Sequence, residues 1–372
     1  MKRDIQNAID SISSMGFLLN SKEATIGFDG FIDCIVHVIR SKKDKDNFTL
    51  FHQIDEFGTY LTSKKGKSCT IELKKQLSKI GGNMPIFANA LGTLGVRVNC
   101  IGAMGYPEIL DEFKKMTRNN CTLYSIADPG YTMALEFNDG KIMFAQMKSV
   151  EDITWSSVKA TVGLDKLKFF SQNSNILGMV NWSEVENSSD IWEGILNEVM
   201  IDHIPDKNQI MYFDLADCSK RHKEDIRNAV DIIGRFSKHC KVILSMNENE
   251  SKIVFEALYP DERYPELSYA GDRIFERAGA DVLIIHPRDC SAAWTKRGSY
   301  KIDNFYIQEP KISTGGGDNF NAGLCIAQLM GLDMASSLTL GNAASGFYVK
   351  NGYSPNIKQI VDFLKEWQSS IL

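Results

Sequence analysis

The sequence predicts an α/β protein, a three-layer α/β/α sandwich with a small peripheral β-sheet lid. Three observations carry this. From about residue 160 onward, short apolar runs of strand length alternate with longer amphipathic segments. Polar residues gather where those runs exit, as at Phe213-Asp214 and Ser245-Met246-Asn247. Gly81-Gly82, an apolar helix closing at Gly95 and the strand that follows make a further α/β unit.

Taken in order, residues 1–22 read as an amphipathic helix with Ile5, Ile9, Ile12 and Met15 near one face. They are expected to be an N-terminal extension, 1–23, on a main domain of 24–372. Residues 26–40 fit one bent strand or two strands meeting near Gly30. Asp29 and Asp33 interrupt that stretch, where a carboxylate is costly unless paired or exposed. They are either turn and edge residues, or at least one of them binds substrate hydroxyls. Residues 41–70 carry two charged turns around short apolar patches and suit a peripheral sheet or lid. Cys121 to Phe144 alternates around Asp139-Gly140, a strong hairpin signal, and supplies the rest of the lid. The lid is thus expected from about 34–70 and 121–146.

Residues 71–80 fit a short helix or a strand. Ile86 to Gly95 is a helix with Pro85 in its first turn, and 96–105 is a strand. Helices are expected at 108–117, 156–164, 192–200, 226–238, 251–258 and 271–277. Strands are expected at 167–171, 210–214, 241–245 and 280–285, with edge strands at 291–294 and 300–307. The last three helices are a glycine-led one after residue 317, a small-residue-rich one at 334–348, and an amphipathic one at 357–367.

The bulk figures narrow the function classes. The 372 residues are 43% hydrophobic, enough for a large core, and the formal net charge is −5. That charge argues against bulk attraction to nucleic acid or an anionic membrane. The 8 cysteines are scattered without a C-x-x-C pair, so no zinc framework or redox motif is indicated. No run of 18 apolar residues suggests a membrane span, and the first residues lack the apolar segment of a signal peptide. A cytoplasmic setting is the expectation.

The most informative stretch is Ser313-Thr-Gly-Gly-Gly-Asp-Asn-Phe-Asn-Ala-Gly323. Glycines let the backbone take positive φ and approach a ligand closely. A helix start offers free N–H groups and partial positive charge, which together form an anion site. Asp318 sits oddly beside such a site. It is either an N-terminal cap or a general base that takes a proton from a hydroxyl while the glycine amides hold a transferring phosphoryl group.

With these residues in place, the chain resembles the ribokinase-like (PfkB-type) carbohydrate kinase family over roughly 24–367. Gly315, Gly316, Gly317 and Asp318 resemble its C-terminal signature, with Gly316 where the family usually has Ala and Ile312 where an acid commonly opens the motif. Gly81, Gly82 and Asn83 resemble its N-terminal signature, with Ile86 where an Asn is usual. Asn247 to Glu250 resembles its Asn-x-x-Glu element. Asp33 resembles the substrate-binding acid near the first strand, and Asn342 falls in the helix that lines the nucleotide pocket. His286-Pro-Arg-Asp289 replaces a Gly-containing turn, where Arg288 is either a phosphate contact or a surface residue.

The resemblance implies ATP-dependent phosphorylation of a hydroxyl on a sugar or sugar-like alcohol. Asp318 would be the catalytic base and Gly315–Gly317 the anion hole. Asp33, Gly81, Gly82 and Asn83 would bind the acceptor. Asn247, Glu250, Arg288 and Asn342 would serve the nucleotide, with Glu250 acting on Mg2+ through water. A monovalent cation and a homodimer formed through the lid stay open. A nucleoside kinase is the alternative, with Phe28, Phe31 and Phe137 as possible aromatic walls. A non-catalytic sugar- or nucleotide-binding protein on the same scaffold is the other.

Overall fold

The computed structural model describes residues 1–312 and 314–371. Ser313, which opens the glycine-rich signature, therefore lies outside the described residues. The strands are β1 (Glu23–Phe28), β2 (Phe31–Lys42), β3 (Phe48–Leu50), β4 (Leu73–Gly81), β5 (Arg97–Ala103), β6 (Cys121–Ala127) and β7 (Gly130–Phe137), then β8 (Gly140–Gln146), β9 (Ile176–Val180), β10 (Asp206–Asp214), β11 (Cys240–Asn247), β12 (Val282–His286), β13 (Cys290–Thr295) and β14 (Gly298–Asp303). The α-helices are α1 (Lys2–Met15), α2 (Ile54–Ser63), α3 (Asn83–Thr93), α4 (Asp111–Lys114), α5 (Lys148–Glu151), α6 (Trp155–Val162) and α7 (Leu164–Asn173), then α8 (Ser188–Gly194), α9 (Lys223–Phe236), α10 (Glu248–Leu258), α11 (Leu267–Ala278), α12 (Gly316–Leu329), α13 (Met334–Asn351) and α14 (Ile357–Ser370).

A nine-stranded sheet runs in the order β14-β13-β12-β11-β10-β9-β1-β5-β6. Pairing is parallel from β12 through to β6, and β13 and β14 are antiparallel additions. Parallel strands covered on both faces need side chains that are apolar throughout, and β9, Ile-Leu-Gly-Met-Val, is buried at every residue. One core fills the face under α1, α3, α12, α13 and α14, with Ile26, Ile176, Tyr212 and Ile284 pointing into it. The other lies under α6 to α11, with Leu177, Phe213 and Leu244 pointing into that side. The three-layer α/β/α sandwich is therefore realised.

The small sheet is also present. It runs β3-β2-β7-β8, with β4 also pairing β2. α2 seals its outer end, packing Phe57 against Val36, Val38, Phe51, Leu135 and Phe137. β1 and β2 are two strands in two sheets, which settles the choice left open around Gly30.

Several elements differ from the sequence reading. β6 (Cys121–Ala127) joins the edge of the main sheet beside β5 rather than the lid, while β4 belongs to the lid. Residues 167–171 are part of α7, because Leu167, Phe170 and Ser171 are buried at helical spacing. The strand lies further on, at β9. α2 arises where only apolar patches were read. The helix expected at 108–117 is one short α turn, α4, followed by a 3-10 turn to Asn119. β13 is an inner strand, paired on both sides, and β14 forms the edge. Among the described residues, no helix is long and apolar enough to cross a membrane.

Candidate active site

The site follows from the strand order. β1 has β5 on one side and β9 on the other, so the direction of the crossovers reverses between β1 and β9. Ligands in open α/β sheets bind beyond the carboxyl ends of the strands at such a switch point. Asp29 follows β1 directly, and Asn181 follows β9 directly with φ of 57°. Asn tolerates that left-handed conformation better than most residues. Asn181 Nδ2 donates to Asp29 Oδ2 at 2.6 Å and to Glu184 Oε2 at 2.9 Å.

Asp29 also accepts the backbone N–H groups of Asn83 at 2.8 Å and Met84 at 2.7 Å. It thereby anchors the N-terminus of α3, where an acid satisfies orphan donors and faces the positive end of the helix. Its carboxylate is fully used within the protein. Burial pushes its pKa up to about 7, against the pull of Asn181 and the Met84 amide. Burial also raises the carboxyl of Glu184.

Asp33, by contrast, faces neighbours in the small sheet. It lies on β2 with Lys79 of β4 and Thr132 of β7 as its cross-strand neighbours. Lys79 Nζ stands 3.9 Å from Asp33 Oδ2. Burial raises Asp33, with Lys79 and Thr132 pulling the other way. Gly81 passes directly over this carboxylate: a Cβ there would sit 2.6 Å from Asp33 Oδ1. Gly82 has φ of 87°, and a Cβ on it would collide with Asp29 Oδ2. Asn83 begins α3 beside them. The structure therefore brings Asp33, Gly81, Gly82 and Asn83 together at one end of the lid.

The glycine turn is positioned by α12. Gly315, at φ of 93°, is the N-cap and offers no side-chain cap. A Cβ on it would lie 2.8 Å from Tyr348 Oη, which itself donates to the Thr314 carbonyl at 3.2 Å. Gly317 faces the His286 ring, with Cε1 3.4 Å from where its Cβ would be. His286 stacks on Phe320 at 4.9 Å, and burial lowers its pKa to about 4, so it is neutral. Asp318 is the third residue of α12 and is buried, yet its Oδ1 has no hydrogen-bond partner. That oxygen therefore makes no capping bond to the helix start. Burial, then the negative charges of Asp214, Asp29 and Glu250, hold this carboxyl well above its usual range.

Next to it, Asn321 Nδ2 donates to Asp214 Oδ2 at 2.8 Å, while Asn321 Oδ1 accepts from Tyr212 Oη at 2.6 Å. These bonds lock α12 onto the end of β10. Asn247 caps α10: its Oδ1 accepts the Glu250 N–H at 2.9 Å, and Glu250 Oε2 accepts the Asn247 N–H at 2.7 Å. Burial and Asp214 push Glu250 up to about 8. Asn342 is buried in α13, and its Nδ2 lacks a partner. Arg288 is exposed beyond β12.

The fit to a nucleotide and its magnesium can be read from these atoms. The glycine cradle and the unpartnered amide of Asn342 offer donors to a phosphate-bearing ligand, while the unpartnered Asp318 Oδ1 is an acceptor that suits a hydroxyl proton and not a phosphate oxygen. Among the described residues, no group of three or more His, Cys, Asp or Glu suits a protein metal cage.

Sequence reading missed Asn181, Glu184, Lys79 and Tyr348. Placing a strand at 167–171 hid the exit of β9, where Asn181 and Glu184 sit. Lys79 was hidden because residues 71–80 suit a helix as well as a strand, and only a strand sets Lys79 and Gly81 on the same face.

Nearly the whole chain, residues 4–367, matches a family model described as prokaryotic ketohexokinase, and the match includes most of α1. A ketohexokinase of Haloferax volcanii is 25% identical over 342 residues, covering 91% of this chain and 89% of that protein. Among solved structures, an E. coli protein assigned as a ribokinase II, in complex with ATP and Mg2+, aligns with a TM-score of 0.65 at 14% identity, covering 93% of this chain and 99% of that one. A nucleoside kinase of Methanocaldococcus jannaschii aligns at 0.59 and 16% identity, covering 93% and 98%. At those identities the likeness to the solved structures concerns the fold.

Proposed function

The chain belongs to the prokaryotic ketohexokinase family, within the ribokinase-like carbohydrate kinases, and from that premise we propose that it transfers the γ-phosphoryl group of ATP to a hydroxyl of a ketohexose. It is an ATP-dependent kinase acting on a small polar substrate. The single observation that carries the finer reading is Asp318, buried directly behind the glycine turn with an unpartnered Oδ1.

Asp318 takes the proton of the attacking hydroxyl, the new O–P bond forms as the bond to the leaving ADP oxygen breaks, and ADP departs. A carboxylate with a raised pKa accepts a proton more readily once ionised. Amides of Gly315, Gly316 and Gly317 hold the charge on the transferring group, in keeping with a reaction governed by positioning and electrostatics. Asp33, Gly81, Gly82 and Asn83 orient the acceptor. Asn342, the Asn247–Glu250 pair and Arg288 would serve the nucleotide, and Glu250 would act on the metal through water. Bound there, magnesium supplies positive charge to the ATP phosphates.

A free sugar is favoured over a nucleoside because the acceptor side is polar. Phe28 and Phe31 are buried in the main core and Phe137 under α2, so none offers a face to a base. The lid also presents Tyr131, Met133 and Phe144, exposed, with Met133 directly opposite Phe144. This apolar face suits pairing of two lids in a homodimer, which sedimentation would test. The functional experiment is ATP- and magnesium-dependent transfer to ketohexoses, aldoses, sugar phosphates and nucleosides, by the parent and by Asp318→Asn. Product from a ketohexose with the parent alone supports the reading. Preferred transfer to another class, or full activity of Asp318→Asn, rejects it.

A further inference from the structure

Lys79 is the group in the cleft that the reaction just described leaves unused. Its ammonium Nζ is shielded from solvent and has no hydrogen-bond partner. An ammonium has three donors and no acceptor capacity, and leaving it buried and unbonded is costly. The nearest acid, Asp33, is 3.9 Å away, too far for a hydrogen bond. The β2–β4 ladder pairs the two residues directly opposite each other. Gly81 closes one side of the Asp33 carboxylate, since even a methyl group there would sit 2.6 Å from Oδ1.

A carboxylate only accepts and an ammonium only donates, whereas a sugar hydroxyl does both. A hydroxyl seated between them gives its proton to Asp33 Oδ2 and accepts from Lys79 Nζ. It completes the unpartnered ammonium and bridges the charges without expelling either.

We propose that Lys79 and Asp33 form a clamp that recognises one non-reacting hydroxyl of the acceptor, making Lys79 a specificity-determining residue that touches substrate. The proposal rests on the reading of the cleft as a sugar-kinase site. It separates three kinds of ligand by chemistry. A deoxy sugar leaves both groups unpaired. A methyl ether cannot donate to Asp33. A phosphate at that point is attracted by Lys79 but repelled by Asp33.

The test pairs calorimetric binding of D-fructose, with and without a non-hydrolysable ATP analogue, with steady-state turnover. The proteins are the parent, Lys79→Met, Lys79→Arg and the double variant Lys79→Met/Asp33→Asn, each with its melting temperature recorded. The clamp predicts that Lys79→Met weakens fructose binding and raises the acceptor KM at least tenfold, while the KM for ATP stays within twofold. Lys79→Arg recovers part of the loss. Among fructose analogues each lacking one hydroxyl, the parent strongly rejects one analogue that Lys79→Met no longer distinguishes from fructose.

A lysine kept only to balance the charge of Asp33 gives a different pattern. Its loss lowers the melting temperature, and the double variant regains acceptor affinity. That pattern overturns the clamp, as does an acceptor KM unchanged within twofold. Fructose bound tightly by the parent without phosphoryl transfer sinks the kinase reading while the Lys79 comparison still decides the clamp. A parent that binds no fructose in either state overturns both.

Discussion

Asn181 Nδ2 donates to Asp29 Oδ2 at 2.6 Å, and this bond joins the first residue beyond β9 to the first beyond β1 where the sheet reverses its winding. Asp29 simultaneously holds the start of α3 through the amides of Asn83 and Met84. One carboxylate thus fixes the acceptor-side helix to two strands of the main sheet.

That arrangement makes stability depend on pH. In the folded chain Asp29 keeps its proton up to about 7, whereas the ordinary carboxyl value is 3.8. Between those values the folded state binds more protons than the unfolded state, so the Asp29 contribution is full below about pH 4 and lost as pH rises through 7. Each unit of separation is worth about 1.36 kcal/mol, so the swing is on the order of a few kcal/mol. Asp29→Asn removes the titration and adds a constant offset, because the amide cannot accept both N–H groups as well. Urea unfolding at intervals from pH 4.5 to 8 is expected to show the parent losing stability relative to Asp29→Asn. Parallel curves would show that Asp29 does not titrate in this range.

The base assignment has its own pH signature. Burial and neighbouring acids raise Asp318, so kcat/KM is expected to climb on an acidic limb well above the usual carboxylate range. Glu250 keeps its own proton up to about 8, so below that pH it carries no charge to raise Asp318. In Glu250→Gln the limb should therefore stay in place below about pH 8. A shift to lower pH would show that Glu250 is ionised there and holds Asp318 up. Asp318→Asn should lose about 10²–10⁴-fold in turnover while still binding ATP.

The architecture was legible where chemistry and pattern agree. Runs such as Ile210 to Phe213 and Val282 to Ile285 are apolar on both faces, as inner parallel strands require. The triple glycine before Asp318 announced its site because no core packing requires it. Other elements were hidden for physical reasons. Leu167-Lys-Phe-Phe-Ser171 reads as a strand by composition, but its buried residues fall at helical spacing once α7 packs on β1. That error concealed Asn181 and Glu184, which acquire meaning only from strand order. β6 alternates like a lid strand, and nothing local says that it pairs β5 instead. Asp29 and Asp33 look equivalent in sequence; the α3 amides, which are distant along the chain, divide their roles.

Gly81 offers a sharp test of the acceptor side. A Cβ at this position would meet all three atoms of the Asp33 carboxyl group at 2.6–2.7 Å, so Gly81→Ala must displace that side chain. The backbone there does not require a left-handed conformation, unlike that of Gly82, so the cost falls on the contact rather than on φ. We expect the acceptor KM to rise at least tenfold, with the KM for ATP within about twofold, a differential loss of roughly 1.4 kcal/mol or more by the usual conversion. Equal rises in both constants would mean that the substitution disturbs the whole cleft.

The first helix yields a prediction about stability rather than chemistry. Ile5, Ala8, Ile9 and Ile12 of α1 are buried, and the helix packs against α13 and α14. α13 carries Asn342 and Tyr348, so α1 supports the helix that backs the glycine turn without itself supplying a site residue. Truncating a fully buried isoleucine removes apolar contact and leaves a cavity, at a cost of about 2–5 kcal/mol. Ile12→Ala is therefore expected to lower the denaturation midpoint while kcat and both KM values, measured well below the transition, stay within about twofold, because the site geometry is restored whenever the chain is folded. An undiminished midpoint would show that α1 is only loosely attached. A selective rise in the KM for ATP at full stability would show instead that α1 sets the position of α13, and with it the nucleotide side of the cleft.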